Sequence, residues 1–157
     1  MKNMNPYRHT VQYYETDKMG ITHHSNYIRW MEEARVDFLS QIGWGYEKLE
    51  AEGIISPVTG LSCKYRASTT FPDEVTVVVT VAEIKGPVLK FQYVMTNQKG
   101  KTVFEGHSEH CFLDENGRIV RLNKQYPALY ELLQEIQSES VSGPTTEGYN
   151  AGRVKRD

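Results

Sequence analysis

Residues 74–96 read EVTVVVTVAEIKGPVLKFQYVMT and decide the fold class, because apolar and polar residues alternate along most of this stretch. Its first half places four valines on one side of an extended chain: Val75, Val77, Val79 and Val81. Its second half repeats the alternation with Leu89, Phe91, Tyr93 and Met95. A period of two is typical of antiparallel strands that bury one face. Gly86 and Pro87 separate the halves, so we predict two strands.

Four further segments are candidate strands: residues 8–13, 55–67, 102–113 and 118–122. Segments rich in Asn, Asp and Gly at residues 97–101 and 114–117 predict the turns between the later ones. Together with the two strands above, these segments predict an antiparallel sheet of five to six strands.

One segment has helical spacing instead. Its apolar residues recur at i, i+3, i+4, i+7 and i+11, namely at Tyr27, Trp30, Met31, Ala34 and Phe38. We expect Ser25 or Asn26 to cap the start of this helix and Gly43 to end it. A strand, one long apolar helix and then four or five antiparallel strands indicate an α+β fold in which the sheet wraps around a central helix.

The end of the chain divides into two parts. Residues 126–137 predict a short C-terminal helix, with Pro127 in its first turn and apolar residues at helical spacing. Residues 139–157 are polar and contain three glycines, so we expect a flexible tail. The predicted domain therefore covers residues 1–138.

Composition excludes several classes of protein. The 157 residues include 18 Lys and Arg against 20 Asp and Glu, so the net charge of -2 argues against binding of nucleic acid. The longest apolar stretch is far below the roughly 20 residues that span a bilayer, and the N-terminus lacks the apolar region of a signal peptide. We expect a cytoplasmic protein without membrane contact, in which Cys63 and Cys111 are reduced thiols.

The polar residues that could carry chemistry cluster at residues 13–27, YYETDKMGITHHSNY. Glu15, Asp17, His23 and His24 lie here, with Gly20 between them, at the junction of a strand and the long helix. The first turn of a helix presents unpaired N–H groups, which bind an anion or a developing oxyanion. A carboxylate just upstream could then face a carbonyl group held at that helix end.

Other interpretations of these residues stay open. Asp and His before a helix also serve as caps and turn formers. Glu15, Asp17 and a histidine are possible metal ligands, but their spacing matches no strong template, so we expect no metal. Ser25 lacks the flanking glycines of a nucleophile elbow. His107 and His110 are three residues apart in a predicted strand and should face opposite sides.

The run from Tyr14 to Tyr27, with its Asp-x-x-Gly-x-x-x-His-x-Asn-Tyr core, continues as Met31, Glu32, Ala34 and Arg35 and then Gly43. This run resembles the 4-hydroxybenzoyl-CoA thioesterase family of hotdog-fold acyl-CoA thioesterases. The likeness extends over about residues 8–133. It implies a hotdog fold, in which an antiparallel sheet wraps around the helix, and it implies hydrolysis of an acyl thioester, usually an acyl-CoA, without a cofactor.

The resemblance also implies roles for single residues. Asp17 matches the catalytic aspartate, either as nucleophile or as general base, and the N–H near His24 matches the donor that polarises the thioester carbonyl. His24 itself could orient the carboxylate or a water molecule. Candidate substrate-binding residues are Gly20, His23, Asn26, Tyr27, Lys64 and Arg66, of which the last two could contact the phosphates of coenzyme A. Glu15 receives no chemical role.

Such proteins form homodimers or homotetramers with the site between subunits, and we expect the same here. Two alternatives remain open at this point. The chain could be a noncatalytic hotdog module that binds acyl thioesters, or a thioesterase that acts on acyl carrier protein.

Overall fold

The computed structural model describes residues 4–142. This part of the chain forms one five-stranded antiparallel sheet with the strand order β1-β3-β4-β5-β2. The strands are β1 Tyr7–Thr10, β2 Val58–Tyr65, β3 Glu74–Lys85, β4 Val88–Thr96 and β5 Thr102–His110. The helices are α1 Ser25–Gln41, α2 Tyr46–Ala51, α3 Leu122–Gln125 and α4 Pro127–Ser142, and a short 3-10 helix covers Tyr13–Glu15.

The hairpin of β3 and β4 forms the centre of the sheet, as its alternation predicts. Val81 pairs with Phe91, and Lys85 with Val88 across the turn. Gly86 adopts a φ of 57°, which favours glycine in a two-residue turn. The four alternating residues of β4 are all buried, whereas Val79 in β3 is only partly buried. The predicted period is therefore confirmed.

Helix α1 packs its apolar face into the same core. All five residues that carry the helical spacing are buried, and the helix contacts β1 and β3. Gly43 follows the end of α1 with a φ of 82°, as expected. The predicted cap is wrong: His24 occupies the N-cap position with helical dihedral angles and no side-chain cap, while Ser25 and Asn26 lie inside the first turn.

The prediction of a sixth strand at residues 118–122 is also wrong. Ile119 makes only an isolated bridge to Leu113, and Leu113 bridges to Ile55 at the same time. Leu122 already begins α3. The chain leaves the sheet after β5, so this segment has no adjacent strand within residues 4–142 that is long enough to support a ladder.

Two helices differ from the expectation. Helix α2 was not predicted, because residues 46–51 are too few to show a helical period. It buries Leu49. Helix α4 begins at Pro127, one residue after the predicted start, and packs Leu129 and Leu133 into the core. It extends to Ser142, beyond the predicted end at residue 137. The remainder of the expected tail, residues 143–157, lies outside the described residues, so the domain boundary at residue 138 stays a prediction.

No helix in the described part of the chain is long and apolar enough to cross a membrane. Cys63 and Cys111 are both free and partly buried. The cytoplasmic location stays a prediction.

Candidate active site

Asp17 lies in a tight turn between the 3-10 helix and α1. Thr16 and Thr22 form an antiparallel bridge across this turn. Inside it, the Asp17 N–H donates to the Ile21 carbonyl at 2.9 Å, and the Gly20 N–H donates to the Asp17 carbonyl at 2.9 Å. Gly20 has a φ of 77°, which residues with a β-carbon rarely adopt. The turn presents Asp17 half-buried at the surface of the domain.

The carboxylate of Asp17 also holds the turn together. Its Oδ1 atom accepts a hydrogen bond from the Met19 N–H at 2.8 Å, the i to i+2 pattern of an Asx turn. The interpretation of Asp17 as a turn former is therefore correct. It does not exclude chemistry, because a carboxylate has several acceptor positions and Oδ1 accounts for one of them.

Glu15 anchors this turn from inside the protein. Its carboxylate is 5% exposed and accepts three hydrogen bonds, from His9 Nε2 at 2.6 Å, the Gln12 N–H at 2.8 Å and Trp30 Nε1 at 2.8 Å. Burial alone raises the pKa of Glu15, but these donors and the proximity of His9 outweigh burial, and the net shift is downward. Glu15 is thus held as a buried carboxylate.

The start of α1 is tied to the same turn. The His23 N–H donates to the Glu15 carbonyl at 2.8 Å, and the buried Asn26 side chain donates to that carbonyl at 2.9 Å. The His23 ring is exposed and bonds to Ser25 Oγ at 2.8 Å. Asp17 and the positive end of α1 therefore belong to one hydrogen-bonded unit.

A pocket of about 280 Å³ opens beside this helix start. His24, Tyr27 and Arg66 line it, together with Tyr65 from the end of β2. Tyr27 is buried, and its hydroxyl is hydrogen bonded to Thr69 Oγ1 at 2.9 Å. Its ring stacks on the ring of Phe104. The pocket brings together three of the predicted site residues. The other five do not line it: Asp17, Gly20, His23, Asn26 and Lys64.

The two predicted phosphate contacts are placed differently from each other. Lys64 lies within β2 and is exposed. Arg66 immediately follows the end of the strand and is also exposed. The guanidinium of Arg66 bonds to Glu105 Oε2 at 2.8 and 3.1 Å, which partly neutralises its charge.

Sequence reasoning missed three residues of this pocket region. Thr22 and Thr69 form a buried pair, with their hydroxyl oxygens 2.7 Å apart and the Thr22 N–H donating to the Thr69 carbonyl at 2.8 Å. Tyr65 donates from its hydroxyl to the His24 carbonyl at 3.1 Å. No local pattern signals these contacts, because the partners are more than 40 positions apart in the chain.

The sequence and the fold match known proteins. The family model of the thioesterase-like superfamily matches residues 11–140. This chain belongs to that superfamily. The structure superposes on the DHNA-CoA thioesterase of Staphylococcus aureus with a TM-score of 0.82 and 33% identity, covering 88% of this chain and 94% of that one. The predicted resemblance to hotdog acyl-CoA thioesterases is thereby confirmed.

Two relatives in this superfamily bear names of hydrolases. A 1,4-dihydroxy-2-naphthoyl-CoA hydrolase of Thermosynechococcus vestitus is 25% identical over 116 residues, which are 70% of this chain and 80% of that protein. The acyl-CoA thioester hydrolase YbgC of Escherichia coli O6:H1 is 24% identical over 95 residues, 60% of this chain and 71% of that protein. The thioesterase-like chain described here is a thioester hydrolase, as predicted.

A second buried polar cluster of this thioesterase-like domain lies between α1 and the sheet. His110 Nε2 is 2.6 Å from Ser108 Oγ, which is 2.7 Å from the Tyr93 hydroxyl. Arg35, also buried, contacts His110 Nδ1 at 3.3 Å and forms an ion pair with Glu32 at 2.7 Å. His107 is exposed while His110 is buried, which confirms that they face opposite sides. Among the side chains that the structure describes, no three His, Cys, Asp or Glu are grouped to hold a metal.

Proposed function

We propose that this protein is an acyl-CoA thioesterase in which Asp17 is the essential carboxylate and the N-terminus of α1 polarises the thioester carbonyl. The observation that carries the proposal is the hydrogen-bonded unit between Glu15 and His23, which holds the Asp17 turn against the start of α1. The names of the relatives supply the substrate class, a thioester of coenzyme A.

The proposed reaction adds water across the thioester. The water oxygen becomes bonded to the acyl carbon, the bond between that carbon and sulfur breaks, and the products are a carboxylic acid and the thiol of coenzyme A. As general base, Asp17 accepts a proton from the attacking water, and this proton balances the departing thiolate. As nucleophile, Asp17 attacks the acyl carbon, and the bond from that carbon to sulfur breaks as the mixed anhydride forms and the thiolate leaves. Water then hydrolyses the anhydride, which restores the carboxylate, and its proton balances the thiolate. Both routes use the same carboxylate.

The start of α1 supplies the electrostatic part of this proposal. N–H groups in the first turn of a helix have no partner within the helix, and the helix dipole adds partial positive charge there. One donor aimed at a developing oxyanion is worth about 3 to 4 kcal/mol of activation free energy. His24 sits at this position as the N-cap residue, and its carbonyl is fixed by the Tyr65 hydroxyl.

Binding of the substrate is proposed for the pocket beside His24. Tyr27 and Tyr65 give it aromatic walls, and Arg66 lies at its edge, where its guanidinium could exchange Glu105 for a phosphate of coenzyme A. The proposed supporting roles of Gly20, His23 and Asn26 are to shape the turn and the helix start. Lys64, exposed on β2, is proposed as a further phosphate contact.

We also propose that two copies complete the site. Strand β2 lies at an edge of the sheet, where no other strand of residues 4–142 pairs with the backbone groups of its outer side. Val58, Leu61 and Tyr65 on this strand are each nearly half exposed. An exposed edge with apolar side chains favours pairing with another strand, here β2 of a second copy. Because the pocket includes the end of β2, that pairing places the second subunit next to it.

The test is release of free thiol from acyl-CoAs with short, medium, long and aromatic acyl groups, compared between the wild-type protein and Asp17→Asn. Asparagine keeps an oxygen for the Met19 N–H and removes the base and nucleophile, so turnover should fall at least about 100-fold. Asp114→Asn is the matched control, because Asp114 Oδ1 accepts two backbone N–H groups in another turn. It should retain wild-type turnover.

Two results would contradict the proposal. Binding of acyl-CoA without release of thiol would support a noncatalytic module, and full turnover by Asp17→Asn would remove Asp17 from the mechanism. Comparison of one acyl group on coenzyme A and on acyl carrier protein tests the carrier. A clear preference for the protein carrier would change the substrate class while leaving the chemistry in place.

A further inference from the structure

We propose that Glu15 is the positioning residue of this site: its carboxylate anchors the turn that carries Asp17, and its carbonyl ties that turn to the start of α1. The inference rests on the proposed role of Asp17. Glu15 does not line the pocket, so it acts on the reaction only through the groups that it holds.

The carboxylate of Glu15 is bound from three directions. His9 donates from β1, the Gln12 N–H donates from the segment before the 3-10 helix, and Trp30 donates from the second turn of α1. A buried carboxylate is costly unless it is hydrogen bonded, and these three donors occupy three of its roughly four acceptor positions. The position of Glu15 is therefore determined by β1 and α1 together, rather than by its own loop.

The carbonyl of Glu15 extends the same restraint to the other side of the turn. It accepts the His23 N–H and the Asn26 side chain, so the residues at both ends of the Asp17 turn are fixed to one peptide group. Between them, the Thr16 to Thr22 bridge leaves little freedom for Asp17. Movement of Glu15 would thus move Asp17 relative to the N-terminus of α1.

A short chain of ionisable side chains runs from Glu15 to the surface. His9 Nδ1 lies 3.5 Å from Glu33 Oε2, and the Tyr7 hydroxyl donates to the same Glu33 oxygen at 2.6 Å. The His9 ring also lies against the indole of Trp30, with 4.8 Å between ring centroids. The titratable neighbours of Glu15 are therefore His9 and Tyr7 from β1 and Glu33 from α1.

Glutamine is the informative substitution because it keeps the shape of Glu15 and changes its hydrogen bonding. An amide has one acceptor oxygen, so either the Gln12 N–H or Trp30 Nε1 must face an NH₂ group. The anchor loosens while the core volume is unchanged. Displacement of a reacting group by about 1 Å can cost 100-fold in rate, so we expect kcat of Glu15→Gln to fall at least tenfold. KM should stay within about threefold, because the pocket walls are unchanged.

A double-mutant cycle separates positioning from a general loss of structure. In the Asp17→Asn background, Glu15→Gln should reduce the residual turnover by less than twofold, because the carboxylate that it positions is absent. An equal reduction in both backgrounds, or wild-type kcat in the single variant, would overturn the inference. Leu133→Ala in α4 is the control for destabilisation, and it should lower the melting temperature without changing kcat below the transition.

His9 offers a second pair of variants if Glu15→Gln does not fold. His9→Gln can still donate to Glu15 and should retain kcat, whereas His9→Leu cannot donate and should lose kcat as Glu15→Gln does. Equal kcat for the two His9 variants would contradict the proposal.

Hydrogen exchange gives a readout that does not depend on turnover. The amides of Asp17, Gly20 and His23 should exchange at least tenfold faster in Glu15→Gln and at the wild-type rate in Leu133→Ala. Unchanged exchange in Glu15→Gln would overturn the anchoring role even if the proposed substrate proved wrong. Conversely, wild-type turnover by Asp17→Asn with accelerated exchange in Glu15→Gln would contradict the proposed catalytic role alone.

Discussion

Trp30 Nε1 lies 2.8 Å from Glu15 Oε2, so the long helix is hydrogen bonded through its core face to the segment that precedes Asp17. Trp30 is fully buried, and its indole N–H has this carboxylate as its partner. The core of the domain and the candidate site therefore share one residue, and changes in the core at Trp30 should be felt at the site.

Trp30→Phe should lower the free energy of unfolding by about 2 kcal/mol or more, because it removes part of a buried ring and one donor to a buried carboxylate. Urea denaturation followed by circular dichroism measures this change. Trp44→Phe is the control. Trp44 is only partly buried and Lys48 Nζ lies over its ring, so this substitution should lower the free energy of unfolding by less than about 1 kcal/mol. If Trp30→Phe and Trp44→Phe lowered the free energy of unfolding equally, the hydrogen bond from Trp30 to Glu15 would not be a stabilising contact.

The stability of the protein should fall in mild acid because of His110. Burial, followed by the charge of Arg35, lowers the pKa of His110 from 6.5 to about 4, against an opposing hydrogen bond to the Pro57 carbonyl. Below pH 6.5 the unfolded chain binds a proton that the folded chain excludes until about pH 4. Stability is thus complete above pH 6.5 and should fall by about 2 kcal/mol between pH 7.5 and pH 5.

Urea denaturation at pH 7.5 and pH 5 tests this dependence, with His110→Gln as the comparison. The variant should lose much less stability than the wild type between these two values. The lowered pKa of Glu15 also reduces the stability of the protein in acid. This loss begins only when the pH falls below the ordinary pKa of 4.5, so it contributes little at pH 5. If His110→Gln lost as much stability between pH 7.5 and pH 5 as the wild type, another group would cause the loss.

Gly106 in β5 should not tolerate a β-carbon. A methyl group at this position would lie 2.8 Å from the ring of Phe104 and 3.0 Å from the carbonyl of Ser62. Gly106→Ala should therefore destabilise the domain by about 1 to 3 kcal/mol. Gly60→Ala is the matched control in β2, because its nearest contact would be 3.6 Å, an ordinary packing distance. Thermal unfolding should show a lower melting temperature for Gly106→Ala alone.

Leu61→Glu should weaken the proposed pairing of β2 strands. Leu61 is 48% exposed on the edge strand, and a carboxylate there would place like charges close together across a two-fold interface. Sedimentation velocity should show a shift from dimer or tetramer toward monomer, with loss of turnover. Val78→Glu, at a similarly exposed residue of the internal strand β3, should leave the assembly intact. A monomeric wild-type protein would refute the proposed pairing.

Elements that bury one face were predictable because burial imposes a local period. The alternation in β4 and the helical spacing from Tyr27 to Phe38 correspond to buried faces in the structure. The errors occurred where other parts of the chain decide the outcome. Residues 118–122 have strand-like composition, but in the part of the chain that the structure describes they make only an isolated bridge. Ser25 and Asn26 are good caps by type, yet the bond from Asn26 to Glu15 draws both into the first turn.

The residues of the candidate site also fall into two groups, those indicated by local sequence and those decided by contacts between elements. Asp17, Gly20 and His24 were recognisable because a turn and a helix start are encoded within a few consecutive residues. By residue type and position alone Glu15 was equivalent to Asp17, and only the family resemblance distinguished the two carboxylates. The structure separates them, since Glu15 is buried among donors from β1 and α1, while Asp17 lies half-buried in the turn.

The sequence by itself determined the strand-rich α+β class, the central helix and the turn that carries Asp17, because each depends on residues that are neighbours in the chain. Only the tertiary structure decided which carboxylate is buried, which residues line the pocket and how β2 becomes an edge. Those features depend on contacts such as Thr22 with Thr69, 47 positions apart, and Trp30 with Glu15. Such contacts arise from packing and hydrogen bonding between elements, which no local period records.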